Sequence, residues 1–293
     1  MARNVTLLAL MSLIWGLTWA AVKYGLQVMP PLLLAAARYL LTAMLLLFTV
    51  RGDRDAFVDG RAPRTVAVAV LMNAATYGPL FWGMQHVASG LSGLVNLSLT
   101  PIMLFGLAAV TGEERPSWRH ALALAIGLAG LTALFWRRLG EGGASIAGLI
   151  AIVVGTACYC IGSVLARPLV KAVPPLVFTK LQAAIGGSIL LLAAIVMEPL
   201  PPLSIFVTWQ ALGALAFLSV LGTIVGFSIY LVLLRDWGTA RAGLYAFVSP
   251  VVALGAGALL FGESVGTAEM AGSALLIVAA AVAMLKPEAK PSP

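Results

Sequence analysis

Residues 89–114 read SGLSGLVNLSLTPIMLFGLAAVTGEE and residues 238–263 read GTARAGLYAFVSPVVALGAGALLFGE; a shift of 149 positions lays Pro101 on Pro250 and Glu114 on Glu263. In the first stretch Ser92, Asn96 and Thr100 recur at every fourth residue, which on an α-helix makes one polar stripe along an otherwise apolar rod. The shift converts them to Arg241, Tyr245 and Ser249. Each copy carries a proline near mid-length, which removes one backbone donor and leaves the carbonyl of Leu97 or Ala246 without its helical partner. A membrane tolerates that defect only against protein or a water-lined cavity. Pro101 and Pro250 are therefore candidate hinges.

Working outward, composition sets the class. Of 293 residues 61% are hydrophobic and 10% charged, with a mean hydropathy of +1.02, more apolar surface than a soluble chain of this length can hide. The formal charge of +7 is read as lysine and arginine held in cytoplasmic loops, and no nucleic-acid partner is expected. Cys158 and Cys160 stand two apart in an apolar run, point to different helical faces, and read as small buried hydrophobes rather than ligands. The N-terminal stretch holds Trp15 and Trp19, lacks a clear small-x-small site before Lys23, and has a counterpart deep in the chain, so it reads as a span and not a cleaved leader.

Ten apolar runs suit a hydrocarbon core about 30 Å thick: 5–22, 32–50, 66–84, 91–111, 118–136, 146–166, 176–197, 209–234, 242–262 and 268–285. The longest loop between them, Arg51 to Arg64, is too short for a soluble module, so function must sit among the helices. With a cytoplasmic N-terminus, thirteen of the eighteen basic residues fall inside, while Lys23, Arg137 and Arg138 fall outside and Arg38 and Lys180 lie within spans. The positive-inside rule therefore predicts both termini in the cytoplasm.

A second shift, of 144 positions, lays Pro30-Pro31 on Pro174-Pro175, Trp15 on Tyr159, Trp19 on Ser163, Lys23 on Arg167 and Arg38 on Gln182. The repeat is five spans long, and an odd number makes the second copy enter from the opposite side of the membrane. The expected architecture is all-α and integral to the membrane, ten helices in two inverted five-helix repeats, residues 1–138 and 139–293, around a central cavity.

Leu13-Ile14-Trp15-Gly16, Pro31 followed by Arg38, and Thr100-Pro101 with Gly112-Glu113-Glu114 resemble the EamA domain of the drug/metabolite transporter superfamily, as do Ser249-Pro250 and Phe261-Gly262-Glu263 in the second half. The resemblance covers nearly the whole chain as two tandem domains, and within the superfamily it is strongest to bacterial aromatic amino acid exporters. It implies a ten-helix inner-membrane exporter with a cavity built from both halves.

The residues, read by themselves, are compatible with that. All eleven carboxylates fall in loops, at span ends or in the tail, whereas proton pumps and cation carriers keep one at depth. Trp15 and Trp19, Tyr77, Phe81 and Trp82, Tyr159 and Tyr245 recur in spans one, three, six and nine; they are read as lining a mostly apolar pocket or, more plainly, as helix packing. Asn73, Thr76, Asn96, Thr100, Thr156, Ser163 and Ser249 supply the few hydrogen bonds that orient a ligand in such a pocket. Arg38 either meets a substrate carboxylate or snorkels outward, and Lys180 is read as snorkelling. His86 and His120 read as interfacial. Glu113, Glu114 and Glu263 end spans ahead of helices that Ser117 and Thr267 would cap.

No catalytic residue, metal site or cofactor is expected, because two histidines and loop carboxylates without ligand spacing give an enzyme nothing to work with. The expected function is export of a small net-neutral solute, an aromatic or other large neutral amino acid, by alternating access without obligatory proton coupling. Its partners are that solute and the lipid bilayer, and the expected unit is a monomer. The alternatives are a proton-coupled exporter of another metabolite or drug and a polytopic membrane enzyme.

Overall fold

The computed structural model describes residues 2–87, 89–112, 118–136, 145–199, 201–262 and 264–284. Among them ten helices are long and apolar enough to cross a membrane: α1 Ala2–Gly25, α2 Pro31–Thr49, α3 Ala62–Met84, α4 Ser92–Val110, α5 Trp118–Phe135, α6 Ile146–Ala172, α7 Pro175–Met197, α8 Trp209–Trp237, α9 Thr239–Leu260 and α10 Thr267–Met284. Each corresponds to one of the apolar runs, and α1, α3, α6, α8 and α9 are extended by about a turn or more at one end or both. Glu113, Glu114, Ser117, Glu263, Arg137, Arg138 and the tail after Met284 lie outside the described residues.

Pro31 and Pro175 open α2 and α7 at positions where a missing amide hydrogen is harmless. The two helices pack along each other and are fastened at both ends of α2. At its start the Glu198 carboxylate, at the end of α7, accepts from the amides of Leu32 and Leu33 at 2.7 and 2.9 Å. At its finish the Lys180 ammonium donates to the Val50 carbonyl at 2.7 Å. An anion at the positive end and a cation at the negative end both favour the helix dipole. Lys180 is thus buried as a helix cap and does not snorkel: a carbonyl left over at the end of α2 lies closer to its ammonium than water does.

Close approach elsewhere depends on missing side chains. Gly148, Gly155 and Gly162 fall seven apart on α6, and a Cβ on them would sit 2.7, 2.7 and 2.5 Å from atoms of Val87, Thr76 and Met72 on or beside α3. Neighbour relations recur with the halves exchanged: α3 lies on α6 and α1 on α8, α4 on α6 and α1 on α9, while α2–α7 and α5–α10 pair across the halves. Gly112 and Gly262, both in the left-handed conformation that glycine adopts without strain, follow α4 and α9.

Two stretches depart from α-helical winding, Val70–Ala74 in α3 and Phe217–Val225 in α8, both π-helical. The hydroxyl of Thr76 donates to the Leu71 carbonyl at 2.6 Å and that of Thr223 to the Leu218 carbonyl at 2.9 Å, five residues back in each case. Widening the turn frees carbonyls that would otherwise be bonded, and π segments gather at functional sites for that reason. α9 is also interrupted: a short helix Thr239–Ala242 turns at Gly243 and Leu244 before Tyr245–Phe261 continues. Pro101 and Pro250 both lie inside continuous helix. At the head of α10 the Glu269 carboxylate, not Thr267, serves as cap, accepting from the Gly266 amide at 3.0 Å.

Candidate functional site

Helices α1, α2, α3, α4, α6, α8 and α9 enclose a cavity of about 370 Å³, within the range of small-molecule sites. At its base Trp15 projects from α1 and donates its indole N–H to the Gly222 carbonyl at 3.0 Å, a bond to the π segment of α8. Only glycine fits beneath it, since a Cβ on Gly226 would lie 2.6 Å from the indole nitrogen. Tyr245 meets Trp15 edge-on at 4.6 Å between ring centroids, and Tyr230 lies 5.5 Å from Trp15, 5.9 Å from Tyr245 and 5.9 Å from Tyr159. These rings form an aromatic floor.

On the wall above, Tyr39, Tyr77 and Phe81 meet edge-to-face in sequence, with centroids 5.7 and 5.4 Å apart. The Arg38 guanidinium lies 4.6 Å from the Tyr39 ring centre and 5.6 Å from that of Tyr77. It donates to the Thr223 hydroxyl at 3.1 Å and the Tyr39 hydroxyl at 3.2 Å. Among the described residues no carboxylate lines this cavity, so the guanidinium gives it a positive field, and planar arginine is suited to gripping a carboxylate through two parallel bonds. Across from it Asn96 donates to the Thr156 hydroxyl at 2.9 Å, and Thr100 donates to the Asn96 carbonyl at 2.8 Å.

Ten of the candidate ligand residues line the cavity: Trp15, Trp19, Arg38, Tyr77, Phe81, Asn96, Thr100, Tyr159, Tyr245 and Ser249. Three do not. Asn73 is buried between helices, donating to the carbonyls of Ala69 and Gln182; Trp82 points outward and packs on His86 at 4.3 Å; Ser163 is buried beneath the floor and accepts from the Tyr230 hydroxyl at 2.8 Å. Thr76 and Thr156, read from the sequence as polar neighbours of the pocket, also line it; the residues missed from sequence are Thr18, Tyr39, Met72 and Phe227 in the lining and Tyr230 in the floor. Tyr39 had a signal, its place next to Arg38, whereas Phe227 and Tyr230 sit in an unbroken apolar run whose facing only the π segment determines.

The cavity reaches toward the end of the molecule where α1 ends and α2 begins, as Leu26, Pro31 and Gln85 lie on its rim. A second chamber of about 400 Å³ adjoins it, sharing Trp19, Asn96, Leu80, Met84 and Leu97, and carries Lys23 and Glu269 as well as Pro250 on its wall. Pro101 lies apart from both chambers, in a small crevice with His120. The opposite end is shut by the Tyr230–Ser163 bond, by a contact of the Thr179 and Ser228 hydroxyls at 3.2 Å, and by an ion pair of Arg3 with Asp236.

Against known proteins, the model of the EamA-like transporter family matches twice, over residues 3–136 and 146–285. The chain is 27% identical to the Escherichia coli (strain K12) protein named "Uncharacterized inner membrane transporter YedA", covering 93% of this chain and 88% of that one. It is 25% identical to a Salmonella typhimurium protein named "Probable amino-acid metabolite efflux pump", covering 94% and 93%. A crystal structure superposes with a TM-score of 0.78 at 19% identity over 97% of both chains, which shows a shared fold.

Proposed function

This chain belongs to the EamA-like transporter family and is a multi-pass membrane transporter; from that premise we propose that it exports aromatic and other large neutral amino acids across the inner membrane. The observation that carries the reading is Arg38, held over the Tyr39 and Tyr77 rings and facing a floor of Trp15 and Tyr245. Arg38 takes the solute carboxylate. The π faces of Tyr77 and Trp15 and the Asn96 amide oxygen receive the ammonium, and the aromatic side chain lies on the floor. Offset and edge-to-face ring contacts of about 0.5–1.5 kcal/mol each are the main source of selectivity for an aromatic solute.

In this reading the halves, residues 1–138 and 139–293, are inverted copies that rock against each other about Pro101 and Pro250. Both termini are cytoplasmic, so the open cavity faces outward, and the working unit is one chain. Transport needs no obligatory proton coupling, because no carboxylate among the described residues lines the cavity around Arg38. Two names support the substrate class and location: the efflux pump named for amino-acid metabolites and the transporter named for the inner membrane. The test is uptake by purified protein in liposomes over a panel of solutes, with and without a pH gradient. Phenylalanine and tryptophan should move at rates independent of the gradient. Loss of transport when the gradient is abolished would falsify the uncoupled mechanism, and transport confined to small polar solutes would remove the aromatic one.

A further inference from the structure

Contacts at the cavity recur in the other half of the chain, with one omission. Ser219, in the π segment of α8, donates to the Arg38 carbonyl at 2.9 Å, and Asn73, in the π segment of α3, donates to the Gln182 carbonyl at 3.3 Å. The positions correspond, since shifts of 144 and 146 carry Arg38 to Gln182 and Asn73 to Ser219. Thr76 and Thr223, related by a shift of 147, make the same backbone bond. The omission is in the side chains. Arg38 reaches the Thr223 hydroxyl, but Gln182 does not reach Thr76, and both its amide nitrogen and its amide oxygen are buried with no partner among the described residues. Ser12 repeats the situation: its hydroxyl is buried without a partner, and the shift of 144 places it on Thr156, which lines the open cavity.

Buried polar groups normally find partners, and an amide with neither donor nor acceptor engaged is held in an arrangement that suits another state of the molecule better. We propose that Gln182 is the polar anchor of a latent second site, formed when the transporter opens at the end that carries the chain termini, where it meets the Thr76 hydroxyl and takes over the solute carboxylate from Arg38. Ser12 lines the same latent site, as Thr156 lines the present one. The inference rests on the alternating-access reading above and adds to it the residue that holds the solute on the other side. An amide is neutral where the guanidinium is charged. The latent site therefore holds an anionic group more weakly than the open one, and the solute is gripped unequally at the two faces of the membrane.

The test uses the full chain with Cys158→Ser and Cys160→Ser, reconstituted in vesicles and probed with a membrane-impermeant thiol reagent applied to one face at a time without solute. Gln182→Cys should be labelled only from the face that carries the termini and Arg38→Cys only from the opposite one. Labelling of both from the same face, or of Arg38→Cys alone when the cysteine-free parent transports and Gln182→Cys is folded, overturns the proposal. Gln182→Leu, which keeps the volume and removes the amide, provides a second measure. Its KM for phenylalanine presented at the terminal face should rise about tenfold, the loss of one hydrogen bond to a charged group, and its KM at the other face should stay within about twofold. An equal change at both faces, or none, counts against it. Failure of the wild-type chain to carry phenylalanine would instead overturn the substrate reading, leaving the solute-free labelling to decide the latent site.

Discussion

The side chains that face the cavity fall into two energetic kinds, and truncating them should separate the two. Trp15, Tyr77 and Tyr245 contribute ring contacts, so replacing any one by alanine should weaken binding of tryptophan about two- to tenfold. Arg38 contributes a charged hydrogen bond inside a low-dielectric cavity, and Arg38→Gln should cost about 1.5–3 kcal/mol, or roughly ten- to a hundredfold in affinity. Titration of intrinsic fluorescence in detergent checks both; equal losses for all four would mean that the guanidinium is not what the solute meets. Glu198 works at a distance from the cavity. Glu198→Ala removes the acceptor from two amides at the start of α2 and should lower the melting temperature by several degrees, with Glu198→Gln in between because it keeps an oxygen but loses the charge. Residue identities carried this far in the sequence because tryptophan and tyrosine at mid-span have few places to be. Trp82 shows the limit: one residue on from Phe81, about 100° around the helix, it points outward, and at the end of a helix an indole is equally at home in the interface.

Among the elements, α4 and α9 are the pair for which two prolines at matching positions predict a joint. The helices run unbroken through Pro101 and Pro250, and the interruption in α9 falls instead at Gly243 and Leu244, ahead of the proline. Restoring the missing amide by Pro101→Ala and Pro250→Ala should slow turnover several-fold while leaving solute affinity unchanged. Counterflow in vesicles measures the first and fluorescence titration the second; unchanged rates in both variants would reduce the prolines to packing features. The π segments had no comparable trace in the sequence. Val70–Ala74 and Phe217–Val225 are apolar like their neighbours, and the extra residue per turn is held by threonine hydroxyls and by Trp15, Arg38 and Ser219 reaching from or to other helices. A winding decided by such contacts becomes visible only once the helices are assembled. Spans were readable because apolar length is a local property; which face of α8 turns inward is not.

For the whole molecule, the thirteen-to-three distribution of basic residues predicts that reporters fused at either end report from the cytoplasm. An alkaline phosphatase fusion at the C-terminus should stay inactive, and an active one would reverse the direction assigned to the cavity. The two shifts predict that the halves are copies, whereas the pairing of α2 with α7 and of α5 with α10 across the halves comes from the structure. A cavity built from both halves was expected from the family resemblance, but its outline was not, because it is shaped where the faces of the halves fail to meet. That cavity has a consequence for the solvent. A chamber of about 370 Å³ holds roughly a dozen waters at about 30 Å³ each, and they must leave when the rings close around a solute or around nothing. The conformational step therefore carries a hydration change, and a polymer too large to enter the chamber should act on it as an osmotic lever. Polyethylene glycol of high molecular mass is expected to deplete the state in which Arg38→Cys is labelled, in proportion to water activity. Small osmolytes that enter freely should leave that labelling where it was.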